Sequence, residues 1–202
     1  MRRRSSLDNP KWTNEVGCVT CHATLSYISS RPARKDGAGL VMDELRDFME
    51  YRVAHWDTDK LRQYLAKTPP PSLHHACWLM WAEAKLGGVL ARESREQIVK
   101  ELEKLQRPDG GRSLPSLGGW TGHDGLPIDQ APSDGYGTGL VVFAVRQADV
   151  PAGHEMVRKG VQWLKSNQRE SGSWFTGSLG ESYHLNFISH SATAFAVMAL
   201  DA

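Results

Sequence analysis

The sequence predicts an all-α protein made of stacked α-hairpins, and two observations lead to this fold class. Helical segments alternate between an almost entirely apolar kind and an amphipathic kind, as expected of an inner and an outer layer of helices. The order of apolar helix, amphipathic helix and glycine-rich loop also recurs along residues 72–202. Such an internal repeat is typical of hairpin arrays, in which each hairpin packs on its neighbours.

The predicted helices of the repeat are bounded by polar or glycine-rich turns. The first apolar segment, "SLHHACWLMWAEAKLGG", ends at a pair of glycines, and its Cys77 is expected to be a buried, inert thiol. The amphipathic segment "RESREQIVKELEKLQ" carries Ile98, Leu102 and Leu105 on one stripe. In chain order the predicted helices fall at 72–88, 92–106, 134–148, 154–168 and 189–202.

Two units are predicted, 1–68 and 72–202, with a boundary in "AKTPPPS", because three consecutive prolines cannot continue a helix. Within the first unit, 39–66 has the apolar spacing of a helix. A formal net charge of +1 argues against a nucleic-acid partner. No run of about eighteen apolar residues occurs, so we expect no transmembrane segment.

The two copies of the repeat align around their glycine-rich turns. "LQRPDGGR" and "NQRESGSW" match at an offset of 62, which pairs Gln106 with Gln168, Gly110 with Gly172, and Arg112 with Trp174. The apolar helices that follow match at an offset of 55, because the first loop has seven more residues.

The segment "RKGVQWLKSNQRESGSW" resembles the QW motif of squalene–hopene cyclases and other terpenoid cyclases. The matching residues are Lys159, Gly160, Trp163, Leu164, Gln168, Gly172 and Trp174. The resemblance implies an α/α toroid, also found in protein prenyltransferase beta subunits, and a hydrophobic or isoprenoid ligand. We interpret the motif as structural: the Gln bonds backbone groups at helix ends, and the Trp fixes the loop to the next hairpin.

The sequence also departs from these enzymes. Cyclases protonate their substrate from a DxDD run, which is absent, and prenyltransferases bind zinc through an Asp, a Cys and a His. Asp134 and His190 stand at the heads of two apolar helices, but Tyr136 replaces the Cys. Two and a half repeats also predict an incomplete ring. The remaining candidates for a catalytic acid or base are Asp124, Asp129, Asp134, His184 and His190, and the three aspartates are also a candidate Ca²⁺ site.

Tryptophans suggest a surface for an isoprenoid. Trp78, Trp81, Trp120 and Trp163 are candidates for an aromatic wall, and core packing explains most of them equally well.

The N-terminal "CVTCH" predicts a covalent haem. Cys18 and Cys21 have the spacing that adds to two vinyl groups, and His22 can bind the iron, so the expected cofactor is haem c. Thiol chemistry, half of a zinc site and chance are the alternatives. This combination of regions also resembles a group of bacterial squalene-cyclase-domain proteins. Candidates for the sixth iron ligand are Met42, Met49, His55, His74 and His75.

The leading functional hypothesis is a haem-bearing protein without cyclase activity, engaged in electron transfer with a redox partner or in ligand binding. The alternatives are an enzyme of the terpenoid cyclase or prenyltransferase class and a non-catalytic interaction module. An exposed inner face favours either a homo-oligomer or a partner protein in every case. Haem attachment would place the protein in the periplasm or otherwise outside the cytoplasm. Since no apolar segment follows "MRRRSSLDNPKW", no signal peptide is predicted, and without haem we expect a cytoplasmic protein.

Overall fold

The computed structural model describes residues 57–120, 132–177, 179 and 188–202, and all regular structure in these ranges is helical. The all-α prediction is therefore confirmed. A short 3₁₀ helix lies at Pro115–Leu117. The α-helices are α1 (Thr58–Lys67), α2 (Leu73–Leu86), α3 (Arg92–Lys104), α4 (Gly135–Gln147), α5 (Glu155–Ser166) and α6 (Ser189–Asp201).

Helix boundaries follow the local chemistry of the chain. The predicted helix at 39–66 is described only from residue 57, and it does not run through that position: Asp57 is the non-helical N-cap of α1. Helix α1 ends just before the three prolines. Ser72 is the N-cap of α2 and Asp134 that of α4, at the same offset of 62 as the repeat. Gly87 is the C-cap of α2, and its positive φ of 65° is a conformation that favours glycine.

The apolar helices α2, α4 and α6 form the inner layer, and α4 lies at its centre. Every residue of α4 from Gly135 to Val145 is buried. Gly139 allows the close approach of α4 to α6, because a Cβ atom there would lie 2.7 Å from the backbone nitrogen of Ala196. The inner layer is therefore held by backbone contact as well as by side-chain packing.

The inner helices are parallel. Near their N-terminal ends, His74 of α2 bonds Tyr136 of α4 at 3.0 Å. At their C-terminal ends, Arg146 Nη2 of α4 donates to the carbonyl oxygen of Ala202, just after α6, at 2.9 Å. Successive hairpins place their inner helices in this way when each outer helix returns the chain to the same end.

The amphipathic helices form the outer layer. In α5 the buried residues follow the helical period, and in α3 they are Ile98 and Leu102, as predicted. Helix α1 has no buried residue, and Tyr64 on it is 63% exposed. Within the described residues, none of the helices has the length and hydrophobicity that a bilayer span requires. The buried residues of α5 are Met156, Val157, Gly160, Trp163 and Leu164.

The turns that join outer to inner helices share a hydrogen bond from Gln to Gly, and Gln106 also donates to the Met156 carbonyl at 2.9 Å. Gln106 Nε2 donates to the Gly110 carbonyl at 2.8 Å, and Gln168 Nε2 donates to the Gly172 carbonyl at 2.9 Å. The two glycines have φ of 88° and 79°. Both Gln side chains therefore bond backbone atoms, but the two glycine acceptors lie in the turn rather than at a helix end. The indole of Trp174 bonds Leu164 of the preceding outer helix rather than the next hairpin.

Candidate functional site

Aromatic rings from all three inner helices meet in one cluster, which we call the aromatic wall. Trp78 packs edge-to-face on Phe195 with ring centres 5.4 Å apart, and Trp81 packs in the same way on Phe143 at 5.1 Å. Edge-to-face pairs bring the positive ring edge to the negative ring face, which orients the side chains and adds to their burial. The members of the wall are His74, Trp78, Trp81, Tyr136, Phe143 and Phe195.

The wall has a buried base and an exposed front. Phe143 and Phe195 are 6% exposed, whereas Trp78 is 37% exposed. Trp81 lies between these extremes, against both Trp78 and Phe143. The buried rings fix the exposed ones, so an apolar molecule would meet a preformed surface rather than mobile side chains.

The structure agrees with part of the predicted wall and corrects the rest. Trp78 and Trp81 belong to it, and Trp120 reaches it through a ring contact with His74 at 5.5 Å. Trp163 does not: it lies on the outer helix α5, and its Nε1 donates to Asp109 Oδ2 at 3.2 Å. The apolar stripe of α5 faces the inner layer, and the Trp163 ring lies beside Gly111 in the first glycine turn.

The candidates for the wall were all tryptophans, so four of its members were not predicted from the sequence: His74, Tyr136, Phe143 and Phe195. A signal for Phe143 is present in the sequence. It follows Trp81 by 62 residues, the offset that relates the two repeats, and so takes the same position on the next inner helix.

A polar pair closes the wall at the N-terminal end of the helices. The rings of His74 and Tyr136 are stacked with centres 5.8 Å apart, and Nε2 of the His bonds the phenol at 3.0 Å. Trp78 Nε1 donates to the same nitrogen at 3.5 Å. Burial, together with the neighbouring His75, lowers the pKa of His74 to about 4. The imidazole is therefore neutral near pH 7, and its Nε2 accepts hydrogen bonds.

Asp134 is buried at the head of α4 and serves as its N-cap. Its Oδ1 accepts from Gly137 N at 2.8 Å and from Thr176 Oγ1 at 2.9 Å, and its Oδ2 accepts from Leu114 N at 2.6 Å. Burial raises the pKa of Asp134 to about 6, and these hydrogen bonds limit the rise. Its described contacts are those of a carboxylate that joins a helix start to two loops.

His190 does not join Asp134 in a metal site. It is exposed in the first turn of α6, and the ring of Tyr136, at the position of the missing Cys, is bonded to His74. Among the residues that the structure describes, no three His, Cys, Asp or Glu side chains are grouped for a metal ion.

Cys77 is fully buried in α2, as predicted. Burial raises the pKa of its thiol to about 12, so the thiolate is not formed at neutral pH. The thiol therefore contributes to packing.

Other candidates lie outside the described ranges, and their roles stay predictions. Of the proposed iron ligands, two are described: His74, whose Nε2 is bonded as above, and His75, which is exposed with Nδ1 2.8 Å from Ser72 Oγ. Outside the described ranges are Cys18, Cys21, His22, Met42, Met49, His55, Asp124, Asp129 and His184.

Comparison with known proteins agrees with the repeat architecture. The family model for the squalene-hopene cyclase C-terminal domain matches residues 70–202, which is more than half of the chain. No curated protein and no solved structure matches the chain. Parallel inner helices, an outer layer, and glycine turns with a bonded Gln all lie within the matched range. The chain therefore belongs to the squalene-hopene cyclase C-terminal domain family.

Proposed function

We propose that this protein binds an extended isoprenoid or similar apolar molecule on the aromatic wall and does not cyclise it. The observation that carries the proposal is the set of ring contacts that joins all three inner helices and leaves Trp78 at the front. Membership of a cyclase-related family supports an isoprenoid as the class of ligand.

The energetics of such a surface favour an apolar ligand. Each Å² of apolar area removed from water contributes about 25 cal/mol, and the buried rings behind the wall need no reordering when a ligand arrives. Burial lowers the pKa of His74 to about 4, which indicates that this end of the wall disfavours a charged group. An uncharged chain fits this environment better than an anionic one.

Asp134 is not free to act as the acid that a cyclase needs. The sequence has no DxDD run. Asp134, the described member of the acidic set, caps α4 with both carboxylate oxygens engaged in hydrogen bonds. Binding without protonation of an alkene is therefore the function that the described residues support best.

Equilibrium binding of tritiated squalene, delivered from cyclodextrin, tests the proposal. We expect saturable binding by the wild type and a loss of about tenfold or more in affinity for Trp78→Ala and Trp81→Ala, since each removes a large contact surface. Tyr64→Ala, which removes an exposed aromatic ring from α1, is the control and should bind like the wild type. Absence of saturable binding, or equal affinity in all four proteins, would overturn the proposal.

A second function is supported by a separate observation, the CxxCH sequence of Cys18, Cys21 and His22. We propose that haem c is attached there when the protein is matured outside the cytoplasm, where it would serve electron transfer with a redox partner. The test is a visible spectrum after expression with haem c maturation proteins and acid–acetone extraction. A retained Soret band supports covalent haem, whereas a colourless protein contradicts it; Cys18→Ala/Cys21→Ala is the matched control.

A further inference from the structure

The inner face changes from polar to apolar along the direction of the helices. His74 and Tyr136 lie in the first turns of α2 and α4, while Trp81 and Phe143 lie about two turns further along the same helices. Each pair is related by 62 residues, so the change in polarity is a property of both repeats. A molecule lying along the wall would therefore have its polar end beside the first pair.

The hydrogen-bonding state of the pair sets what it can accept. The indole N–H of Trp78, 3.5 Å from Nε2 of His74, can only donate, so Nε2 is an acceptor and the imidazole proton resides on Nδ1. The one lone pair of Nε2 takes the Tyr136 O–H at 3.0 Å, and the Trp78 contact is the weaker of the two. The single phenolic proton of Tyr136 is used in its bond to His74. The phenol oxygen retains a lone pair that can accept from a further donor, although the Tyr136 side chain as a whole is only 8% exposed.

The charge state of His74 and Tyr136 determines which head group of a ligand they can bind. Burial lowers the pKa of His74 to about 4 and raises that of Tyr136. Both groups are therefore neutral near pH 7. A diphosphate needs cationic or backbone donors, whereas a neutral hydroxyl group needs only an acceptor of the kind that Tyr136 provides.

From this arrangement we propose that the preferred ligand is a neutral prenyl alcohol, whose hydroxyl group donates to the Tyr136 oxygen while its hydrocarbon chain lies on Trp78 and Trp81. The inference rests on the proposed isoprenoid binding and adds to it the chemistry of the head group. According to this inference, His74 and Tyr136 determine whether the protein prefers an alcohol, an ether, a hydrocarbon or a diphosphate.

Four probes test the head group on the full chain: geranylgeraniol, its methyl ether, geranylgeranyl diphosphate and squalene, each measured by equilibrium binding. We expect the wild type to bind the alcohol about tenfold more tightly than the ether, since the ether has no proton to donate. Tyr136→Phe should bring the alcohol to the affinity of the ether and leave the ether unchanged. Tyr64→Phe, an exposed Tyr on α1, is the matched control and should keep the preference.

The outcomes separate the two proposals. Equal binding of alcohol and ether by the wild type, tighter binding of the diphosphate, or an undiminished preference in a folded Tyr136→Phe protein would overturn the head-group inference. Squalene and the ether would still bind in those cases, and the proposed function would stand. If none of the four probes binds, the proposed function itself fails. The comparison of alcohol with ether uses the wild type alone and does not depend on any variant folding.

Discussion

The guanidinium of Arg112 and the indole of Trp174 make equivalent hydrogen bonds in the two repeats. Arg112 Nε donates to the carbonyl oxygen of Leu102 at 3.0 Å, and Trp174 Nε1 donates to that of Leu164 at 2.8 Å. In both cases the acceptor lies ten residues earlier, and both donors are on almost fully buried side chains. The first repeat thus departs from the QW pattern in residue type but keeps the bond that joins the turn to the preceding outer helix.

Replacing Arg112 with Trp is expected to maintain or raise the free energy of unfolding. Nη1 and Nη2 of Arg112 have no hydrogen-bond partner among the described residues, and a buried unpaired donor costs about 1–3 kcal/mol. An indole can keep the bond to Leu102 without a buried charge. Arg112→Ala, which leaves a cavity and an unpaired carbonyl, should lose about 3 kcal/mol. Urea unfolding measures both.

The control for these variants is Arg92→Ala. Arg92 is exposed and pairs with Glu96 on the surface of α3, so we expect a change of about 0.5 kcal/mol or less. If Arg112→Trp is as unstable as Arg112→Ala, the equivalence of the two side chains is wrong.

Gly139 is expected to tolerate no side chain. A Cβ atom there would lie 2.7 Å from Ala196 N and 2.8 Å from the carbonyl carbon of Phe195, so α4 and α6 would have to separate. We expect Gly139→Ala to lower the free energy of unfolding by about 3 kcal/mol or more. Gly153→Ala, where a Cβ atom would meet nothing within 4 Å, should be neutral or slightly stabilising. Similar melting temperatures for the two variants would contradict the close approach.

Asp134 is expected to make the protein less stable as the pH rises. Burial raises its pKa from 3.8 to about 6 in the folded chain. Its contribution is therefore fully present below pH 3.8 and is lost as the pH rises through about 6, a change of about 3 kcal/mol at most. Asp134→Asn should be less stable overall, because three donors lose a carboxylate, but it should lack this decline. Thermal melts from pH 4 to 7.5 measure the difference, and parallel pH profiles would refute it.

His74 is expected to act in the opposite direction over the same range. Its pKa falls from 6.5 to about 4 on folding, so its contribution is present above pH 6.5 and is lost as the pH falls through about 4. His74→Gln should therefore lose less stability on acidification than the wild type. The pH dependence of stability in the wild type combines the contributions of Asp134 and His74. Only the two single variants separate these contributions. A His74→Gln protein as acid-sensitive as the wild type would be the contrary result.

The order of helices could be predicted because hydrophobic period and turn residues are local properties. Ser72 and Asp134, the N-caps of α2 and α4, are separated by the same 62 residues that relate the two glycine turns. The role of Asp134 was harder to predict, because an Asp before an apolar helix suits an N-cap or a catalytic acid equally well. Its donors Leu114 and Thr176 lie 20 and 42 residues away, and only the folded chain brings them together.

The aromatic wall was predicted in part for a similar reason. The four tryptophans were grouped by residue type, and residue type does not show which layer a side chain belongs to. Trp163 lies on an amphipathic helix and reaches the first turn from the outer layer, whereas Trp78 and Trp81 lie on an apolar inner helix. At Arg112 the pattern indicates a loss of the motif, because residue types do not record that a guanidinium can present an N–H at the same place as an indole.

Both loops that follow the glycine turns are held at their two ends. Arg112 N donates to Thr138 Oγ1 across 26 residues, and Trp174 N donates to Thr193 Oγ1 across 19. The seven additional residues of the first loop thus fall entirely between the two bonded positions. Evolution can lengthen this connection without moving the helices that it joins. New sequence can therefore be acquired, lost or exchanged at this point of the repeat while the scaffold stays the same.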